Sequence, residues 1–345
     1  MNSFTPMTQR HAPPRRKPII CVLSNSGLPD GLEAEASRVD FNVIQQKQLS
    51  QALKESDALL LWDYFSRATR DAWSKETSIS WVHVPTAGVD KLLFPELVTS
   101  PVVVTNARGI FDHPISEYVL GMILQHYKQF QFTSKLQKEH RWLHRESELI
   151  SEKRALIIGT GAIGRSIACT LKSVHIDIVG AGRYHRVDDD DFGTVLNPEE
   201  WHEQLDSFDI VVLICPLTEE TQGLFGRTEL LAMKDSSMLI NVGRGELVDQ
   251  KALIEALDSP EFPIGAAAID VAMPEPLPTD SALWDIPNLF ISPHMSGDYI
   301  GWQQAAIKQY RHLISQWVAG ESLDNQVNKD KGYSTLSSAN AGIPA

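Results

Sequence analysis

The stretch Ala155-Leu156-Ile157-Ile158-Gly159-Thr160-Gly161-Ala162-Ile163-Gly164 constrains the fold of this chain more than any other. An apolar run breaks into glycines and then resumes with helical periodicity, Ile163, Ile167, Leu171 and Val174 falling on one face. It reads as strand, tight turn, helix. Gly159, Gly161 and Gly164 stand at G-x-G-x-x-G spacing. The first glycine permits the turn, the second lets backbone approach a pyrophosphate, and the third lets helix and strand pack closely, with helix N–H groups aimed at the anion. Such triplets also occur in ordinary strand-to-helix turns, so the surroundings must decide.

Two series of apolar runs surround it. The first predicts strands at Ile19–Leu23, Asn42–Ile44, Ala58–Trp62, Trp81–Val84 and Val102–Thr105, a small flavodoxin-like parallel sheet. The second predicts strands at Ala155–Ile158, Asp177–Ala181, Ile210–Cys215, Met238–Val242, Gly265–Val271 and Leu289–Ser292. With helices such as Asp249–Leu257 between them, these make a doubly wound dinucleotide-binding sheet. The apolar helix Pro114–Leu124 is read as the buried crossing between the two, followed by a long polar helix through about Leu149. A last helix over 301–319 returns toward the first sheet. The fold expected is therefore α/β: a doubly wound parallel-sheet dinucleotide-binding domain (113–298) plus a discontinuous flavodoxin-like substrate domain (18–112, with the returning segment 299–327). Residues 1–17 and 328–345 are read as flexible tails, the first also compatible with a transit peptide.

Composition excludes several classes of function. A net charge of −13 opposes a nucleic-acid partner, Arg15-Arg16-Lys17 being the one basic cluster. No apolar run approaches the roughly 20 residues that span a bilayer, and no signal-peptide core opens the chain. Cys21, Cys169 and Cys215 lie in or beside apolar runs, so buried free thiols and a reducing, cytoplasmic setting are expected. His140 and His144 stand at i, i+4 without a third ligand, so no metal site is expected.

In doubly wound sheets ligands lie beyond the carboxyl ends of the strands, and there this chain places glycines, Arg183, Arg244, Asp270 and His294. Reducing a 2-keto acid with a nicotinamide needs a cation for the carboxylate, a proton donor for the developing alkoxide, and a group that keeps the donor charged. Arginine's planar fork matches a carboxylate in two-point fashion. Histidine titrates near neutral pH, and a neighbouring carboxylate favours the protonated ring. Arg244, Glu275 and His294 supply one of each.

The run Asn241-Val242-Gly243-Arg244-Gly245-Glu246-Leu247-Val248-Asp249 resembles the arginine signature of the D-isomer-specific 2-hydroxyacid dehydrogenases. Ala268–Val271 through Glu275-Pro276-Leu277-Pro278, and Pro287 through Pro293-His294, resemble that family's acid and histidine segments in order and spacing. With Thr86-Ala87-Gly88-Val89-Asp90, Leu217-Thr218 to Thr221 and the glycine loop, the resemblance covers residues 58 to 318. It implies an enzyme that transfers hydride between NAD(P)H and a 2-keto acid to give a D-2-hydroxy acid. Arg244 would clamp the substrate carboxylate, together with the backbone of Ala87 and Gly88. His294 would be the general acid and base, paired with Glu275, and Asp270 would hold the nicotinamide carboxamide or ribose. Gly159, Gly161, Ala162, Ile163, Gly164, Cys215, Pro216, Thr221, Val242, Gly243, Ser296 and Gly297 would line the cofactor. A homodimer is also implied, with the Pro114–Leu124 helix at its interface. The same fold also serves nicotinamide-sensing corepressor-like binding proteins, which remain the alternative.

One departure is informative. The second strand of an NAD-specific site ends in an acid that bonds the ribose hydroxyls. Here it ends Gly180-Ala181-Gly182-Arg183-Tyr184-His185-Arg186, so Arg183 and Arg186 favour a 2′-phosphate and NADP over NAD. Asp188 would reach the ribose only if that strand ran longer. Trp62, Tyr64, Phe65 and Trp302 are read either as an aromatic pocket for a larger 2-keto acid or as domain packing.

Overall fold

A computed structural model describes residues 16–64 and 66–334, so Phe65 and most of both expected tails lie outside the described residues. The chain divides into two compact units, Met1–Ile110 with Ile300–Ala345, and Phe111–Tyr299.

In the first unit, β1 (Ile19–Leu23), β2 (Asp40–Ile44), β3 (Ala58–Leu61), β4 (Trp81–Val84) and β5 (Val103–Asn106) form a sheet of order β2-β1-β3-β4-β5. Every pairing is parallel. Because side chains alternate across a strand, the apolar runs feed two cores. Cys21, Leu23, Leu59, Leu61, Val82 and Val104 point to one face. Ile20, Val22, Ala58, Leu60, Trp81 and Val103 point to the other, where they meet Tyr310, Leu313, Ile314 and Trp317 of the helix Trp302–Ala319.

His83 of β4 is wholly buried on this second side. Its Nδ1 lies 2.8 Å from Thr105 Oγ1, and its ring stacks on Tyr310 at 4.7 Å. Burial pushes the imidazole from 6.5 down to about 3. The unfolded chain therefore takes up this proton first as pH falls. The stability tied to a neutral His83 is complete above pH 6.5 and declines between pH 6.5 and 3, by about 1.4 kcal/mol per pH unit. His83→Gln, neutral throughout, is expected to melt lower at pH 7.5 but with a shallower loss of Tm between pH 6.5 and 5. An unchanged slope in pH-dependent melts would assign the acid sensitivity to other groups.

The second unit carries β6 (Arg154–Ile158), β7 (Asp177–Ala181), β8 (Arg186–Asp189), β9 (Gly193–Leu196), β10 (Ile210–Leu213), β11 (Met238–Asn241), β12 (Ala266–Ile269) and β13 (Leu289–Ile291). Their order is β13-β12-β11-β10-β6-β7-β9-β8, parallel except for the antiparallel β8–β9 pair. The chain reverses direction across the sheet between β6 and β10, the position where doubly wound sheets open a crevice. Register makes that edge level: Ala181 pairs with Ile158, Ile158 with Leu213, Leu213 with Asn241, Asn241 with Ile269 and Ile269 with Ile291.

The structure departs from the sequence reading at five points. The β8–β9 hairpin was not foreseen, because Arg-Val-Asp-Asp of β8 carries no apolar alternation and β9 adds only Val195 and Leu196. The polar helix stops at Lys138, and His140 adopts φ 54, so His140 and His144 share no helical face. The helix expected at Pro114–Leu124 spans Asp112–Tyr127 within the second unit, where Thr170 Oγ1 donates to Ser116 Oγ at 3.0 Å, tying it to the glycine-loop helix Ala162–Ser173. Cys169 is exposed on that helix, while Cys21 and Cys215 are buried. Near the C-terminus of the described chain, β14 (Val327–Asn328) pairs with β15 (Tyr333–Ser334), where a tail was expected. Lys329 Nζ holds this hairpin by donating to the carbonyls of Leu97, Ser100 and Val102 at 3.0, 2.6 and 3.0 Å. No helix among the described residues is long and apolar enough to cross a membrane.

Candidate active site

The glycine loop leaves β6 at Ile158 and enters the helix at Ala162. Gly159 has φ 121, and a Cβ there would lie 2.7 Å from the Cys215 backbone nitrogen. At Gly164 a Cβ would lie 1.9 Å from the Gly159 carbonyl oxygen, so only glycine lets the helix start this close to the strand. At Gly161 a Cβ would meet nothing within 4 Å, so backbone faces open space at the helix start. That combination fits a pyrophosphate, for which helix N–H groups are the natural partners. Cys215, whose backbone nitrogen abuts the loop, is buried, and burial pushes its thiol up to about 12, which keeps it protonated and unreactive. Beyond β10, Pro216 is exposed, and Thr221 closes the following turn by donating to the Pro216 carbonyl at 2.7 Å.

Arg244, Glu275 and His294 come from three neighbouring strand ends of this same unit. Past β11, Val242 and Gly243 are buried and Arg244 caps the short 3₁₀ turn Gly245–Leu247. Arg244 Nη1 donates to the Gly243 carbonyl at 2.7 Å, and the Asn241 amide holds the Arg244 carbonyl at 2.8 Å. A Cβ on Gly245 would lie 2.3 Å from the Ala272 carbonyl carbon. The arginine turn thus presses directly on the segment that carries Glu275, whose Oε1 accepts the Ala272 N–H at 3.2 Å.

His294 adopts φ 53, and its N–H donates to the Asp270 carbonyl at 2.7 Å. Its Nδ1 lies 3.0 Å from Glu275 Oε2, with the ring 35% and the carboxylate 24% exposed. Asp270, 1% exposed, is the hub of the loop. Its Oδ1 accepts the Met295 N–H and the Ser292 hydroxyl, its Oδ2 accepts the Ser296 N–H at 2.9 Å, and Tyr118 Oη lies 2.6 Å from Ser292 Oγ. Gly297 follows, packed against Phe111. Partial burial pushes the Asp298 carboxyl above its ordinary range; His294 pulls it down and Asp270 adds to the rise. Tyr118, Ser292 and Asp298 were not singled out from sequence, because their part here depends on hydrogen bonds and proximity that no motif encodes.

In the first unit the loop after β4 is anchored by its carbonyls. Those of Thr86, Ala87 and Gly88 accept from the Ala107 N–H at 3.0 Å, the Asn106 amide at 2.6 Å and the Thr86 hydroxyl at 2.7 Å. In a planar trans peptide the N–H points opposite to the preceding C=O. The N–H groups of Ala87 and Gly88 therefore face away from their anchors. At the end of β3, Trp62 stacks on Trp302 at 6.4 Å and Tyr64 meets Trp302 edge-on at 6.1 Å.

At the second-strand edge, β7 stops at Ala181 and the chain turns before β8, so the condition under which Asp188 would serve the ribose is not met. Arg186 Nη2 donates to Thr160 Oγ1 of the glycine loop at 3.2 Å, whereas Arg183 reaches outward to Glu220 at 3.4 Å. Among the described residues no group of three or more His, Cys, Asp or Glu could hold a metal ion.

The D-isomer specific 2-hydroxyacid dehydrogenase NAD-binding domain matches residues 120–296. The chain is 30% identical over 298 residues to a glyoxylate reductase of Thermofilum pendens, covering 83% of this chain and 85% of that one. It is 30% identical over 318 residues to a D-3-phosphoglycerate dehydrogenase of Bacillus subtilis, covering 89% of this chain and 57% of that longer one. A D-isomer specific 2-hydroxyacid dehydrogenase from Xanthobacter autotrophicus Py2, solved in complex with NADPH and MES, superposes with a TM-score of 0.76 at 26% identity, over 92% of this chain and 100% of that one. A level strand edge that carries glycine loop, arginine turn and paired histidine, together with these matches, places the chain in the D-isomer specific 2-hydroxyacid dehydrogenase family.

Proposed function

We propose that the protein transfers hydride between NADPH and a small 2-keto acid, giving the D-2-hydroxy acid. The observation that carries this reading is the His294–Glu275 pair at 3.0 Å, on a loop clamped by Asp270 at the edge that also bears Arg244. When bound, the nicotinamide supplies the hydride. Arg244 clamps the substrate carboxylate by its fork. With Glu275 against Nδ1, His294 presents Nε2, which gives its proton to the carbonyl oxygen as that oxygen gains charge, and takes it back in the reverse direction. Asp270 keeps His294 in place. Gly159, Gly161, Ala162, Ile163 and Gly164 cradle the pyrophosphate, while Cys215, Pro216, Thr221, Val242, Gly243, Ser296 and Gly297 line the rest of the cofactor.

NADPH is preferred in this reading because Arg186 lies over Thr160, where an NAD site would present an acid. The Trp62–Tyr64–Trp302 cluster packs on the cores of the first unit, which favours domain packing over a substrate pocket for these side chains. A homodimer is supported less by the half-buried Asp112–Tyr127 helix than by the exposed Phe130, Phe132, Trp142, Leu143 and Leu149 beyond it. The test is a steady-state panel of glyoxylate, hydroxypyruvate, phenylpyruvate and branched 2-keto acids, run with each cofactor. Turnover of at least one acid, with kcat/KM favouring NADPH, is expected. Cofactor binding without turnover of any acid would favour the nicotinamide-sensing alternative.

A further inference from the structure

The acidic run Asp188–Asp191 stands one residue past Arg186, and a carboxylate at this edge should repel a 2′-phosphate and attract ribose hydroxyls instead. The structure shows why Asp189 is withheld. Arg165, in the first turn of the glycine-loop helix, holds it in two-point fashion, Nη1 to Oδ1 at 2.9 Å and Nη2 to Oδ2 at 3.0 Å. Arg165 Nη1 also reaches Asp191 Oδ2 at 2.5 Å. Asp189 Oδ1 further accepts the N–H groups of Asp191 and Phe192 at 3.2 and 3.3 Å. Its side chain is 8% exposed. Burial alone would raise this carboxyl, but the hydrogen bonds from Arg165, Asp191 and Phe192 hold it down to about 2. Asp189 is therefore a committed anion whose lone pairs are spent on its own unit.

The same carboxylate steers Arg186. Asp189 Oδ2 lies 3.3 Å from Arg186 Nη2, the nitrogen that also reaches Thr160 Oγ1, and Arg186 Nη1 would be 3.9 Å from a Cβ on Gly182. The guanidinium thus lies across the ends of β6 and β7. Two arginines and two aspartates make this cluster neutral, and the nearby Arg183 is matched by Glu220. Without Arg165 the balance becomes one cation against two anions, with Asp189 released toward the ribose edge.

We propose that Arg165 is a specificity-determining residue that acts without touching the cofactor: by clasping Asp189 it withholds that carboxylate from the ribose and leaves Arg186 to meet the 2′-phosphate. This rests on the NADPH reading of the same site, yet the two fail separately. The wild-type ratio of kcat/KM for NADPH over NADH tests the reading; the change in that ratio on substitution tests Arg165. Arg165→Gln is expected to lower the ratio about tenfold, the scale of one released charge at a partly exposed site. Calorimetric titration gives a readout independent of turnover: 2′,5′-ADP should bind about tenfold more weakly to Arg165→Gln, while 5′-AMP, whose free 2′-hydroxyl the released carboxylate can accept, should bind no more weakly than to wild type. Adding Asp189→Asn should restore both quantities to within about threefold of wild type. If Arg165→Gln does not fold, Arg165→Lys, which keeps the charge but loses the two-point clasp, should lower the ratio about threefold. An unchanged ratio, or a loss that Asp189→Asn fails to rescue, overturns the proposal.

Discussion

His294→Ala is expected to lower kcat by about two to four orders of magnitude, the usual worth of a positioned acid–base group, while the Kd for NADPH changes little. The structure argues for a large effect because it invests so much in this one ring. A non-glycine residue at φ 53 is disfavoured, and here the surroundings impose it through the bond from the His294 N–H to the Asp270 carbonyl at 2.7 Å. The next two N–H groups are fixed on the Asp270 carboxylate, and Glu275 sets the ring from the Nδ1 side. A ring so fixed loses little further freedom when it transfers a proton, so removing it discards the pre-organisation as well as the proton. Glu275→Gln, which keeps an acceptor but not its charge, should cost about tenfold to a hundredfold in kcat, less than removal of the ring. Rapid-mixing and steady-state rates check both. Near wild-type turnover in His294→Ala would take the histidine out of the chemistry.

Much of the architecture was legible because parallel strands covered on both faces read as short, nearly continuous apolar runs. Ile19–Leu23, Trp81–Val84 and Asp177–Ala181 appear where such runs predict them. The glycine spacing was equally direct, since Gly159 and Gly164 meet backbone that no side chain could share. Arg244 and His294 could be singled out because they follow apolar runs that end at one level. Ion pairs across 24 residues, such as Arg165 with Asp189, leave no comparable trace. An arginine in the first turn of a helix reads as a solvated charge, and an acidic run reads as a loop. Likewise the end of the polar helix at Lys138 is a local backbone turn, with His140 at φ 54 and the Arg141 N–H on the Leu136 carbonyl, which helical propensity does not register. The half-buried Tyr118 was read as one more position of the apolar helix, although its hydroxyl lies against Ser292 and, through it, Asp270.

Arg244→Ala should lower kcat/KM for the keto acid by about two to three orders of magnitude, since truncating one partner of a hydrogen-bonded charge pair typically costs 2–5 kcal/mol. Arg244→Lys separates charge from shape. A point charge can still attract the carboxylate but cannot match it at two points, so KM should rise about tenfold or more while kcat falls by less. The turn that presents Arg244 is fixed by groups these substitutions leave in place: the Asn241 amide on the Arg244 carbonyl at 2.8 Å, and Gly245 against the Ala272 backbone. Neither variant should therefore disturb the Glu275 segment, and the Kd for NADPH from fluorescence titration should remain within about threefold of wild type. Product inhibition by the hydroxy acid should weaken in parallel with the rise in KM, because both ligands present the same carboxylate. An unchanged KM in Arg244→Lys would mean that the carboxylate is held chiefly elsewhere.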